Sequence, residues 1–126
     1  MERNNKNILL VDDDRDLRYV LSMRLASVGY TVYEADNGWE AIEQMEKHSI
    51  DVVLTDYHMP EMNGFGLLSL SRERWPGTPV VFYSGEEDDM AHEAVERGAF
   101  AWVRKGSDTT ILLEFLDYAS QQSVHA

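Results

Sequence analysis

Cysteine is absent from the 126-residue sequence, which excludes disulfides, thiolate metal sites and cysteine nucleophiles. Positive charge is scarce: 11 Lys and Arg stand against 23 Asp and Glu, for a net charge of −12, and no Lys or Arg follows Lys105. That balance opposes binding to DNA, RNA or an anionic membrane surface, all of which attract proteins mainly through Lys and Arg. Proteins and cations are the expected partners. No apolar run approaches the length that spans a membrane. The polar start, Met1 to Lys6, does not read as a signal peptide, so a cytoplasmic location is expected. The four histidines, at positions 48, 58, 92 and 125, have no metal-ligand spacing, which argues against a zinc site. Repeats, low-complexity tracts and linkers are also missing.

The chain has the length of one domain and can bury a full core. Its apolar residues fall into two alternating kinds of segment. Short runs rich in β-branched residues occur at residues 8–11, 31–33, 52–55, 79–83 and 100–103, and read as strands buried on both faces of a parallel sheet. Between them lie stripes with helical spacing. The first is Leu17, Val20, Leu21, Leu25 and Val28, closed by Gly29 as a helix C-terminal glycine. Ala41, Ile42 and Met45 form the second, Phe65, Leu67, Leu68 and Leu70 the third. Met90, Ala94 and Val95 form the fourth, ended by Gly98, and Ile111, Leu112, Phe115, Leu116 and Ala119 the last. Five βα units predict an α/β fold, a doubly wound parallel sheet with helices on both faces. The whole chain, 1–126, reads as one domain with its core at about 7–119 and a fraying polar tail at 120–126. Glu86 to Asp89 read as a solvated helix N-terminus.

Ligands of such sheets bind beyond the carboxyl ends of the strands. There the sequence has Asp12, Asp13 and Asp14 after the first strand, Asp56 after the third, Ser84 and Gly85 after the fourth, and Arg104 and Lys105 after the fifth. Asp14 reads as the cap of the next helix. Carboxylates gathered in one pocket repel unless a cation neutralises them, and hard oxygen ligands suit Mg²⁺. A carboxylate can attack phosphorus to give an aspartyl phosphate, whose oxygens need positive charge and hydrogen-bond donors. Taken singly, Lys105 reads as a solvated lysine and Ser84 as a turn residue. Only their shared position at one sheet edge gives them chemistry.

The run from Ile8 to Asp14, the stretch from Asp56 to Gly64, Ser84-Gly85 and Lys105 together resemble the receiver domains of two-component response regulators, in the same order and spacing. The likeness covers about residues 7–119. It implies a CheY-like, flavodoxin-like sheet of order 2-1-3-4-5 with five helices. It also implies Asp56 as phosphoacceptor, and Mg²⁺ held by Asp12, Asp13, Asp56 and the backbone carbonyl of His58, with Asp12 acting through water. Ser84 and Lys105 would contact the phosphoryl oxygens. Met59-Pro60 and Asn63-Gly64 would shape the loop leaving the site. Trp102 occupies the family's aromatic switch position, with Ser84 as the residue through which phosphorylation would bias its packing, and reads equally as a core-filling ring. The implied partners are a sensor histidine kinase or phosphotransfer protein and a downstream protein or fused effector. Such a domain catalyses only its own phosphorylation and dephosphorylation.

Three positions depart from the family pattern. Gly106 replaces the usual proline after the lysine, so the Lys105–Gly106 peptide is predicted to be trans. Trp102 replaces a smaller aromatic, and Gly85 an alanine. An aspartate-nucleophile phosphatase is the rival enzyme reading, but the second aspartate it needs is replaced by His58. A nucleotide or flavin domain would need a glycine-rich loop where the aspartates stand. A degenerate receiver that only binds protein is the remaining alternative. Glu93, Glu96, Asp108, Glu114 and Asp117 make the face of the fourth helix, fifth strand and fifth helix acidic. A monomer, or a dimer built on a different face, is therefore expected, with a partner that brings positive charge.

Overall fold

Runs such as Val52-Val-Leu-Thr55 lose side-chain freedom in a helix and pack well on a pleated surface, and they form the sheet. In a computed structural model, which describes residues 5–85 and 90–124, the strands are β1 (Asn7–Val11), β2 (Thr31–Ala35), β3 (Val52–Thr55), β4 (Val80–Ser84) and β5 (Ala101–Arg104). All pair in parallel in the order β2-β1-β3-β4-β5. The helices are α1 (Arg15–Ser27), α2 (Gly38–Lys47), α3 (Gly64–Arg74), α4 (Ala91–Glu96) and α5 (Thr109–Gln121).

The period of two along each strand divides the core into two layers. Leu9, Val11, Val53, Val80 and Phe82 face α2, α3 and α4. Ile8, Leu10, Leu54, Val81 and Val103 face Leu21 and Leu25 of α1 and Leu112, Leu116 and Ala119 of α5. Both faces of β1, β3 and β4 are covered, as expected of a parallel sheet. Local chemistry agrees with this plan. Asp14, Asn37, Asn63 and Asp108 cap α1, α2, α3 and α5 with their side chains. Gly29 and Gly98, at φ +104° and +102°, supply the left-handed turn after α1 and α4.

Several expectations need correction. β2 lies at the sheet edge, and only Ala35 of its five residues is buried. Val20 is 61% exposed, Val95 55% and Phe115 42%, and Val28 and Ile111 are exposed as well. The apolar stripes of α1, α4 and α5 are thus wider than the strip each helix presents to the sheet. The tail does not simply fray. Helix α5 continues to Gln121, and the Val124 N–H donates to the Gly77 carbonyl at 2.9 Å. The stretch Glu86 to Asp89, expected at a helix N-terminus, lies outside the described residues.

Candidate functional site

Asp12 and Asp56 are the residues that directly follow β1 and β3, and the ladder carries both into place. The Asp12 N–H donates to the Ala35 carbonyl at 3.1 Å, and the Asp56 N–H to that of Val11 at 3.0 Å. Both side chains are buried, Asp12 to 2% exposure and Asp56 to 8%. Asp13 between them in the cluster is exposed. One carboxylate oxygen from each of Asp12, Asp13 and Asp56 lies within 4.8 Å of the others. Asp14 stays apart as a cap, accepting from the N–H groups of Asp16 and Leu17 at 3.1 Å each.

β4 and β5 supply the donors. The fully buried Ser84 hydroxyl donates to Asp56 Oδ1 at 3.1 Å. Lys105 Nζ donates to Asp56 Oδ2 at 2.9 Å and lies 3.3 Å from Asp12 Oδ2. The Lys105 N–H bonds to the Ser84 carbonyl, which extends the β4–β5 pairing to the lysine itself. Gly106, at φ +90°, then turns the chain away, and no peptide among the described residues is cis, so the Lys105–Gly106 bond is trans. A Cβ on Gly85 would meet no described atom within 4 Å beyond its chain neighbours.

The electrostatics follow from this crowding. Burial is the main cause that raises the Asp12 pKa, and the Asp56 charge adds to it; the Asp14 N–H and the Lys105 charge offset it only in part. For Lys105, burial pulls the pKa down, but the hydrogen bond to Asp56 and the charges of Asp12 and Asp56 outweigh it and leave the ammonium held above its ordinary value. Asp12 and Asp56 therefore share the Lys105 ammonium, with the Asp13 carboxylate in the same cluster.

Two contributors escaped the sequence reading. The Tyr57 N–H donates to Asp56 Oδ1 at 2.7 Å, and an Arg18 guanidinium N–H donates to the Asp12 carbonyl. Both act on or through backbone, which leaves no signature in side-chain spacing. The His58 side chain is exposed. Trp102 is half-buried and stacks on Phe82, with centroids 5.1 Å apart.

A doubly wound parallel sheet with a buried aspartate at the end of its central strand, acidic partners from β1 and a lysine from β5 defines the receiver class of signalling domains. The chain belongs to that family: the response regulator receiver domain model matches residues 8–117. The transcriptional regulatory protein GlrR of Escherichia coli K12 is 34% identical over 128 aligned positions, which cover 100% of this chain and 29% of GlrR. The DNA-binding transcriptional regulator NtrC of the same organism is 37% identical over 102, covering 80% of this chain and 22% of NtrC. The chain thus spans less than a third of these relatives. Among solved structures, a response regulator receiver domain protein from Clostridium thermocellum superposes with a TM-score of 0.88 at 28% identity, over 93% of this chain and 95% of that one. The chemotaxis response regulator CheY4 of Vibrio cholerae gives 0.84 at 29%, over 92% and 99%. This chain is accordingly a receiver domain of the two-component type, and its role is that of a phosphoacceptor signalling module.

Proposed function

We propose that Asp56 takes a phosphoryl group from a phosphohistidine of a sensor kinase or phosphotransfer protein, and that the phosphorylated domain changes its contacts with a protein partner. The observation that carries this reading is the setting of the Asp56 carboxylate. Ser84 bonds one oxygen, Lys105 the other, and two further carboxylates stand within 4.8 Å. The excess of negative charge over Lys105, and the all-oxygen donor set, suit Mg²⁺. Asp12, Asp13, Asp56 and the His58 carbonyl are the groups that would hold it. When bound, the ion supplies charge that lets a phosphoryl group approach this acidic pocket.

The chain's own residues do the rest. An Asp56 oxygen forms the new O–P bond as the donor's N–P bond breaks, and the histidine nitrogen keeps that electron pair. Ser84 and Lys105, already on Asp56, are the donors within reach of the incoming phosphoryl oxygens. The domain acts once per phosphoryl group; a phosphomonoesterase would need a second carboxylate where His58 stands. In a longer protein of the NtrC kind, named as DNA-binding, contact with DNA falls to segments other than this acidic domain. Glu114 and Asp117 on α5, a helix without Lys or Arg, oppose pairing of two copies through that face, so light scattering should report a monomer with and without a phosphoryl mimic. A phosphorylation-dependent dimer in contact at Glu93, Glu96 and Glu114 would contradict this.

Intact-mass measurement after incubation with acetyl phosphate tests the assignment. One phosphoryl group should add in Mg²⁺, and none in EDTA or in Asp56→Asn. Labelling that survives in Asp56→Asn refutes it.

A further inference from the structure

Among the described residues the Tyr57 N–H, the Ser84 hydroxyl and Lys105 Nζ donate to the Asp56 carboxylate, and the Tyr57 bond, at 2.7 Å, is the shortest of these. The tyrosine ring is not free to drift. It stands edge-on to Phe65 at 4.9 Å and 73°, and tilted against Trp102 at 6.0 Å. Phe65 meets Phe82 edge-on at 5.9 Å, and Phe82 stacks on Trp102 at 5.1 Å. These contacts close into a loop of four rings drawn from the β3–α3 connection, α3, β4 and β5, with the fully buried Phe82 as its floor. The backbone is pinned from another side by Gly64. Its N–H donates to the Tyr57 carbonyl at 2.8 Å. A Cβ there would lie 2.9 Å from the Asp56 carbonyl oxygen and 3.0 Å from Tyr57 Cα. The peptide that joins Asp56 to Tyr57 is therefore held between a glycine and an aromatic cluster.

We infer that Tyr57 is a positioning residue for Asp56, and the link through which Trp102 on β5 senses the state of that carboxylate. Aromatic pairs favour particular geometries, so the ring cluster sets the direction of the Tyr57 N–H, and the N–H sets Oδ1. Coupling of this kind is reciprocal. Esterifying Asp56 removes charge from the carboxylate, weakens it as an acceptor for the Tyr57 N–H, and so alters the restraint on the rings. The route needs no displacement of Ser84. The inference rests on Asp56 being the phosphoacceptor only for its kinetic half; the structural half stands on the four rings and the hydrogen bond.

Two measurements test it. In a Trp39→Phe, Trp75→Phe background, Trp102 is the sole indole. In metal-free protein, Asp56→Ala should shift Trp102 emission, and the same substitution made on top of Tyr57→Ala should produce no further shift. With acetyl phosphate and Mg²⁺, Tyr57→Ala should lower the maximal phosphorylation rate about three- to tenfold, the factor one aromatic pair is worth, at an unchanged half-saturating donor concentration. Tyr57→Phe should restore the rate, because the ring and not the hydroxyl makes the contacts. Circular dichroism melts establish that each variant is folded, with Tyr57→Leu in reserve should the alanine variant fail. Emission that responds equally to Asp56→Ala with and without Tyr57, or a full maximal rate in folded Tyr57→Ala, overturns the inference. Label retained by Asp56→Ala removes the phosphoacceptor reading instead, and leaves the emission result to judge the link alone.

Discussion

Asp12 and Lys105 tie the site to pH with signs that can be worked out. A carboxyl whose folded pKa is raised binds its proton more tightly in the native state. The metal-free protein therefore loses stability as pH rises from the ordinary 3.8 through the elevated value of Asp12. Lys105 is also raised; its contribution is complete below its ordinary 10.5 and is lost as pH climbs through the higher folded value. Asp12→Asn, which keeps an acceptor for the Asp14 N–H, should raise the melting temperature in EDTA near neutral pH and flatten the acid-side slope. A difference curve of melting temperature against pH, wild type minus variant, is the check; an unchanged slope would remove Asp12 as its source. The clustered aspartates, Ser84 and Lys105 were legible because each is a distinctive side chain at a strand's carboxyl end. Tyr57 and Arg18 were not, since what they offer to or take from the site passes through a peptide group that any residue carries.

Strand positions were legible to within a residue or two, because short β-branched runs between helical stripes allow few other readings. Helix faces were less so. Three or four apolar residues per two turns imply a broad buried arc, but against a flat sheet α1 buries only Leu21 and Leu25, and α5 only Leu112, Leu116, Ala119 and Ser120. Urea unfolding distinguishes the two kinds of position. Leu116→Ala, at a fully buried site, should cost about 2–5 kcal/mol, and its neighbour Phe115→Ala clearly less. The tail makes a separate case. A Cβ on Gly77 would lie 1.9 Å from the Val124 carbonyl oxygen, so Gly77→Ala should dislodge Ser123 and Val124. The loss should be about 1 kcal/mol, the worth of one hydrogen bond, with faster amide exchange at Val124 and no change in the phosphorylation rate. Protection at Val124 that survives the substitution would show that the tail is held elsewhere.

Across the whole molecule, Asp12 and Asp13 after β1 and Asp56 after β3 come together only in the folded sheet, so an ion bound there would link its binding to global unfolding. An ion that binds only the folded state at a hundred times its Kd should add about 2.7 kcal/mol. Millimolar Mg²⁺ is thus expected to raise the melting temperature of the wild type, and less so that of Asp13→Ala. A wild-type melting temperature indifferent to Mg²⁺ would remove the metal from the site. The space beside Ser84 has a different kind of consequence. A methyl at Gly85 would touch no described atom, and if Asp56 carries the acyl phosphate, room for water beside Ser84 would shorten its life. A domain that loses its label quickly would keep a brief memory, with an output that follows the present rate of the donor and forgets earlier bursts. Gly85→Ala should lengthen that memory, seen as slower loss of label after the donor is removed, without altering how fast the label is acquired.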